Sequence, residues 1–171
     1  IYTAPYEVAT RVLLLPGALA TTLFPAMSAL QGMGAHGRLR GLSWKATGAV
    51  AALVGPVALL FVVGAHPFLR LWLGDAFTPG AAVALQLLAP GLLANALAQV
   101  PFTLLQGMGR ADLPARFHLL ELPLHAVVTW MLVGRWGVAG AAAAWTLRAA
   151  VDAALLFGSA ALLLRRRGGA A

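Results

Sequence analysis

The 171 residues contain no cysteine, which excludes a disulfide framework, a thiolate metal site and a cysteine nucleophile together. Charge is scarce: Asp, Glu, Lys and Arg make up 10% of the chain, against about 25% in an ordinary soluble domain. Acids are scarcest, with five Asp and Glu against twelve Lys and Arg, for a net charge of +7. That excess invites a nucleic-acid reading. The basic residues, however, sit between and after apolar runs and form no stripe with interleaved aromatics, so nucleic acid is set aside. Catalytic patterns are missing as well. Ser28, Ser43 and Ser159 have no accompanying His and acid, and Asp75 and Asp112 are the only acids between the apolar runs. Gly107-Met108-Gly109 is a turn without the rest of any phosphate-binding fingerprint. No enzyme, cofactor or metal follows.

What the chain does contain is hydrocarbon. Hydrophobic residues make 61% of it and its mean hydropathy is +0.85, the composition of an integral membrane protein. Uncharged runs at 12–35, 46–65 and 76–109 anchor a reading of five spans at about 5–30, 46–65, 81–106, 117–134 and 138–164. The runs lack the period-two alternation of barrel strands. Only helices or closed barrels satisfy backbone groups in lipid, so the fold class is all-α, a polytopic helix bundle forming one membrane domain over 1–171. Between the second and third spans, Phe68 to Phe77 mixes aromatics with Arg70 and Asp75 and reads as an interfacial segment with Trp72 and Phe77 near the headgroups. Pro16, Pro25, Pro56, Pro90, Pro101 and Pro123 fall inside spans, either tolerated there or bending helices around a cavity. Gly137, Gly140, Ala141 and Ala144 form a small face for close helix contact.

Alternate loops must share a side of the membrane. Arg38, Arg40 and Lys45, then Arg110 and Arg116, then Arg165, Arg166 and Arg167 fall on one side, and Arg70 and Arg135 on the other. The bias places the C-terminus in the cytoplasm. Since the sequence opens on Ile1-Tyr2-Thr3 at the edge of a span, without Met or a basic leader, the expectation is a fragment.

Ionisable groups inside spans carry the functional information, because each costs about 2.5–3.5 kcal/mol at mid-span unless it faces protein, water or substrate. Arg148 and Asp152 lie four apart on one helix, neighbours that can partly neutralise each other. They read either as a structural ion pair or as a cationic cavity lining able to meet a phosphate or acidic sugar. Glu7 and Arg11 repeat the spacing nearer a membrane surface. His118, Glu121 and His125 line one helical face. A metal is not expected there, because no further ligand is evident to complete a tetrahedral site; a proton-responsive or hydrogen-bonding face, or packing alone, remains open. Gln86, Asn95, Gln99 and Gln106 offer helix-to-helix hydrogen bonds first and sugar contacts second.

Four stretches in series are similar to the C-terminal half of bacterial lipid-linked oligosaccharide flippases, the O-antigen type exporters of the multidrug/oligosaccharidyl-lipid/polysaccharide superfamily. They are Tyr6 to Arg11 through Leu15-Pro16 to Leu23-Phe-Pro25-Ala-Met-Ser28; Leu71-Trp-Leu-Gly74 with Phe77; Val100-Pro101, Leu105-Gln-Gly-Met-Gly-Arg110 and His118-Leu-Leu-Glu-Leu-Pro123; and Gly137-Val-Ala-Gly140 through Trp145-Thr-Leu-Arg148 to Asp152. The resemblance implies that the spans are the last five of about twelve helices, part of the second of two lobes around a central cavity. It further implies alternating access that carries an undecaprenyl-pyrophosphate-linked oligosaccharide across the bacterial cytoplasmic membrane for cell-surface polysaccharide biosynthesis, with membrane lipids and the missing first lobe as partners. Arg148 and Asp152 are then the first cavity candidates, Arg11 and Glu7 the second, His118 and Glu121 the third. The alternatives are a drug/cation antiporter or lipid II flippase of the same superfamily, a non-transporting membrane subunit, or the hydrophobic part of a membrane glycosyltransferase.

Overall fold

The computed structural model describes residue 11 and residues 14–168, and every regular element among them is helical. Helix α1 is Leu14–Gly32, α2 His36–Leu73, α3 Pro79–Gly107 and α4 Asp112–Gly168, with a 3-10 turn at Gly74–Ala76. Three of them, α2, α3 and α4, are long and apolar enough to cross a membrane. The chain is a multi-pass, all-α membrane protein.

The expected five helices become four helical segments, because the fourth and fifth spans are one segment that doubles back at Gly137. That residue has φ 55° and ψ −127°, a conformation open in practice only to glycine. Three residues on, Gly140 lies so close to Leu132 that a Cβ there would collide with the Leu132 carbonyl and come within 2.8 Å of the Val133 nitrogen. In a straight helix those residues would be about 12 Å apart. The limbs 112–136 and 138–168 are thus antiparallel, and each exceeds the roughly 20 residues a span needs.

The second span also differs from expectation. Rather than ending at His66-Pro67, α2 continues for two turns to Leu73 and absorbs most of the interfacial segment. Proline removes only its own donor, and protein can satisfy the loosened turn. Beside the carbonyl that Pro67 leaves without an amide, Gln86 Nε2 donates to Val62 O at 3.0 Å. At 38 residues α2 is about 57 Å long, well over the ~30 Å hydrocarbon core, so its ends stand in the headgroup regions. Trp72 stacks on Phe68 at one end, and His66 meets the edge of Phe77.

Sequence periodicity explains the packing. Along α2 the buried residues Leu39, Ala46, Val50, Val54, Phe61, Ala65 and Leu69 form one stripe, while Leu53, Leu59, Leu60 and Val63 stay exposed, as lipid-facing residues should. Helix α3 is the most enclosed and packs on all three others. Gly91 lets it do so: a Cβ there would lie 2.7 Å from Thr146 Cα, and Thr146 Oγ1 donates to Leu87 O at 2.6 Å across the contact. Helices α1 and α3 close alike. Arg110 N donates to Leu105 O and Gly109 N to Gln106 O, with Gly109 at φ 73°, so the terminal carbonyls are satisfied before the chain turns. Arg40 near the start of α2 and Arg165 near the end of α4 line the same cavity, so these two helix ends lie at the same end of the bundle.

Candidate functional site

The α4 hairpin gathers the ionisable groups of the membrane interior. Its register sets residues of one limb opposite residues of the other, and four of the expected site residues meet. His118 Nε2 lies 3.2 Å from Asp152 Oδ1, and Arg148 Nη1 lies 3.7 Å from Glu121 Oε2. The pairing corrects the sequence expectation. Among the described residues no ion pair joins Arg148 to Asp152; each takes a partner from the facing limb, because the hairpin brings an opposite charge nearer than the next turn of the same helix does. Arg11 is helical and exposed, far from this cluster in sequence, and Glu7 lies outside the described residues.

Glu121 and Asp152 are 5% and 6% exposed, among the few buried polar residues of the bundle. Both oxygens of Glu121 and Oδ1 of Asp152 are buried without a hydrogen-bond partner: the Arg148 approach is too long for one and the His118 approach is not aligned as one. Desolvated carboxylates with vacant lone pairs are costly unless something meets them. His118, Glu121 and Asp152 each place a ligand atom within 4.8 Å of the other two, close enough to share one small cation or a proton. Asp152 is the third group that the helical stripe lacked. In place of a ligand role, His125 contacts Thr129 Oγ1 through its ring at 3.4 Å.

Two small cavities flank the cluster. One of about 120 Å³ lies between α3 and the hairpin, where Asn95 and Gln99 of α3 face His118 and Asp152. These amides are the sugar-contact candidates that reach the site, whereas Gln86 is spent on the Val62 carbonyl and Gln106 is exposed. Phe102 stacks on the His118 ring at 6.3 Å and closes one side. The other cavity, about 100 Å³, holds Glu121, His125 and Arg148 among Leu124, Leu147 and Val151. Arg148, 28% exposed, is the cation of this side. Nearer the membrane surface, Asp112 takes hydrogen bonds from Arg110 at 2.9 and 3.2 Å and holds the guanidinium above its ordinary pKa; it is a loop clamp and not part of the site.

This assembly of buried charge on a membrane hairpin accompanies a match of residues 6–131 to the MatE family. The chain belongs to the MatE family. Over 155 residues it is 28% identical to the "Putative O-antigen transporter" of Shigella flexneri, a stretch that takes in 91% of this chain and 36% of that protein. The chain therefore spans about a third of the length of the relative it matches. No solved structure matches it. The resemblance read from Leu23-Phe-Pro25, Leu105 to Arg110 and His118 to Pro123 falls within the MatE match. The cluster extends past it, since Arg148 and Asp152 lie beyond residue 131.

Proposed function

We propose that this MatE chain is part of a transporter, not an enzyme, that moves an undecaprenyl-pyrophosphate-linked oligosaccharide across the cytoplasmic membrane by alternating access, its C-terminus in the cytoplasm. The observation that carries the reading is the cluster in which buried Glu121 and Asp152 meet the partly exposed Arg148 and His118, beside Asn95 and Gln99. A sugar pyrophosphate cannot enter hydrocarbon unless protein groups replace its hydration. Arg148 supplies a cation for a phosphate oxygen, and Glu121 holds it in place until the anion arrives. Asn95 and Gln99 supply donors and acceptors for hydroxyls. The polyprenyl tail stays in the bilayer while the headgroup passes between this lobe and the first lobe of the same exporter. The likeness to an O-antigen transporter supports the substrate class.

A second reading, drug or cation antiport, is favoured by the orphan oxygens of Glu121 and Asp152. One experiment separates the two. Deleting the gene should strip the surface polysaccharide and leave lipid-linked oligosaccharide accumulating on the cytoplasmic leaflet, with drug susceptibility unchanged. Intact polysaccharide together with heightened susceptibility to cationic drugs would exclude the glycan reading.

A further inference from the structure

Away from the charge cluster, at the end of the bundle that carries the basic residues, α2, α3 and the second limb of α4 leave a slot of about 160 Å³ between them. Its origin is local. Ala160 and Ala161 face Thr47 and Pro101 with little side-chain bulk, so three packed helices fail to fill the space. Below the mouth the walls are mostly apolar, including Val100, Leu104 and Phe157, and the hydroxyls of Ser43 and Thr47 are spent on the Leu39 and Ser43 carbonyls, so the space suits hydrocarbon. Along α4 the slot runs from Arg165 to Phe157, about 12 Å at the helical rise.

The mouth differs from the walls. Arg40 from α2 and Arg165 from α4 both line it and are exposed, and Trp44, 64% exposed, stands beside them one turn along from Arg40. No acidic residue lines the slot, and Asp112, the acid of the neighbouring loop, is engaged by Arg110 and Arg116. Two cations without a carboxylate, an indole suited to the headgroup level and an apolar channel beneath describe one amphiphile with an anionic head.

We propose that this slot is a binding site for an anionic phospholipid of the surrounding leaflet, with its phosphate between Arg40 and Arg165 and the upper part of one acyl chain against Phe157, Ala161 and Leu104. The slot shares no lining residue with the cavities beside the charge cluster, so the site is distinct from the proposed path of the transported glycan and does not rest on that reading. The bound lipid ties the start of α2 to the end of α4 across α3.

The test is native mass spectrometry of the detergent-solubilised protein with dioleoylphosphatidylglycerol and dioleoylphosphatidylcholine, which share acyl chains and differ in headgroup charge. The protein should retain phosphatidylglycerol on the order of tenfold more tightly than phosphatidylcholine, the weight of two arginines beside a headgroup of net negative charge. Arg40→Gln/Arg165→Gln should bring the two lipids within about twofold. Arg38→Gln/Arg166→Gln removes the same charge from exposed positions outside the slot and should keep the preference. Ala161→Phe should reduce retention of both lipids. Equal losses in the two double variants, no preference in the parent protein, unchanged retention in Ala161→Phe, or displacement of phosphatidylglycerol by a polyprenyl pyrophosphate would each overturn the proposal.

Discussion

Gly140→Val should abolish accumulation of the folded protein. A valine side chain at this position has to occupy the volume of the Leu132 carbonyl and the Val133 nitrogen, which are backbone atoms on the facing limb and cannot rotate aside. Overpacking against movable side chains costs about 1–3 kcal/mol. Here the limbs must separate, and with them the contacts His118–Asp152 and Arg148–Glu121, so the loss should exceed that range. Protease resistance and the unfolding midpoint in detergent measure it. Gly158→Val, on the same limb with open space around it, should shift the midpoint far less. Equal effects at the two glycines would mean that the limbs are not packed as described.

Arg148→Ala should abolish glycan export while the protein still inserts, and it should also destabilise. Glu121 is buried, so removing Arg148 leaves its carboxylate without the nearest cation; because Arg148 is partly exposed and 3.7 Å away, the cost should fall below the about 3–5 kcal/mol of a fully buried pair. The two consequences can be separated. Arg148→Ala/Glu121→Gln removes both charges, so much of the stability should return, whereas export should not, because the cation for the phosphate is still missing. Arg148→Lys restores the charge without the planar fork and should export partially. Surface polysaccharide, read alongside the amount of protein in the membrane, distinguishes these outcomes. Export by the stable double variant would remove Arg148 from the transport path.

How much of this was legible in the residues depended on whether the signal lay within one helix. The third span, expected at 81–106, is α3 at Pro79–Gly107, because an uncharged run bounded by glycine and proline needs no tertiary information. The extension of α2 through Pro67 was not legible, since whether a proline ends a helix depends on what satisfies the turn it loosens, and Gln86 is far away in sequence. The ionisable residues of the site were all visible as anomalies in apolar spans, but their partners were not. Arg148 and Asp152 satisfy the intrahelical spacing rule, while the pairing that wins is set by the turn at Gly137. A signal did exist: His118 and Asp152, and likewise Glu121 and Arg148, are nearly equidistant from Arg135, as facing residues of a tight hairpin must be. The lipid slot left no sequence trace, because a void is made by three helices together.

The central claim is that the charge cluster faces water and not acyl chains. These 171 residues contain no cysteine, so a single cysteine introduced among them is read against the same protein without it. His118→Cys and Leu120→Cys should be compared for their rate of reaction with a charged, membrane-impermeant thiol reagent in intact membranes. Bare exposure ranks them the wrong way for this claim, since Leu120 is 73% exposed and the His118 side chain 47%. A passage filled with water predicts labelling at 118 at least about tenfold faster than at 120, because thiols in hydrocarbon stay protonated and meet no charged reagent. Labelling at 120 as fast as at 118 would contradict the account.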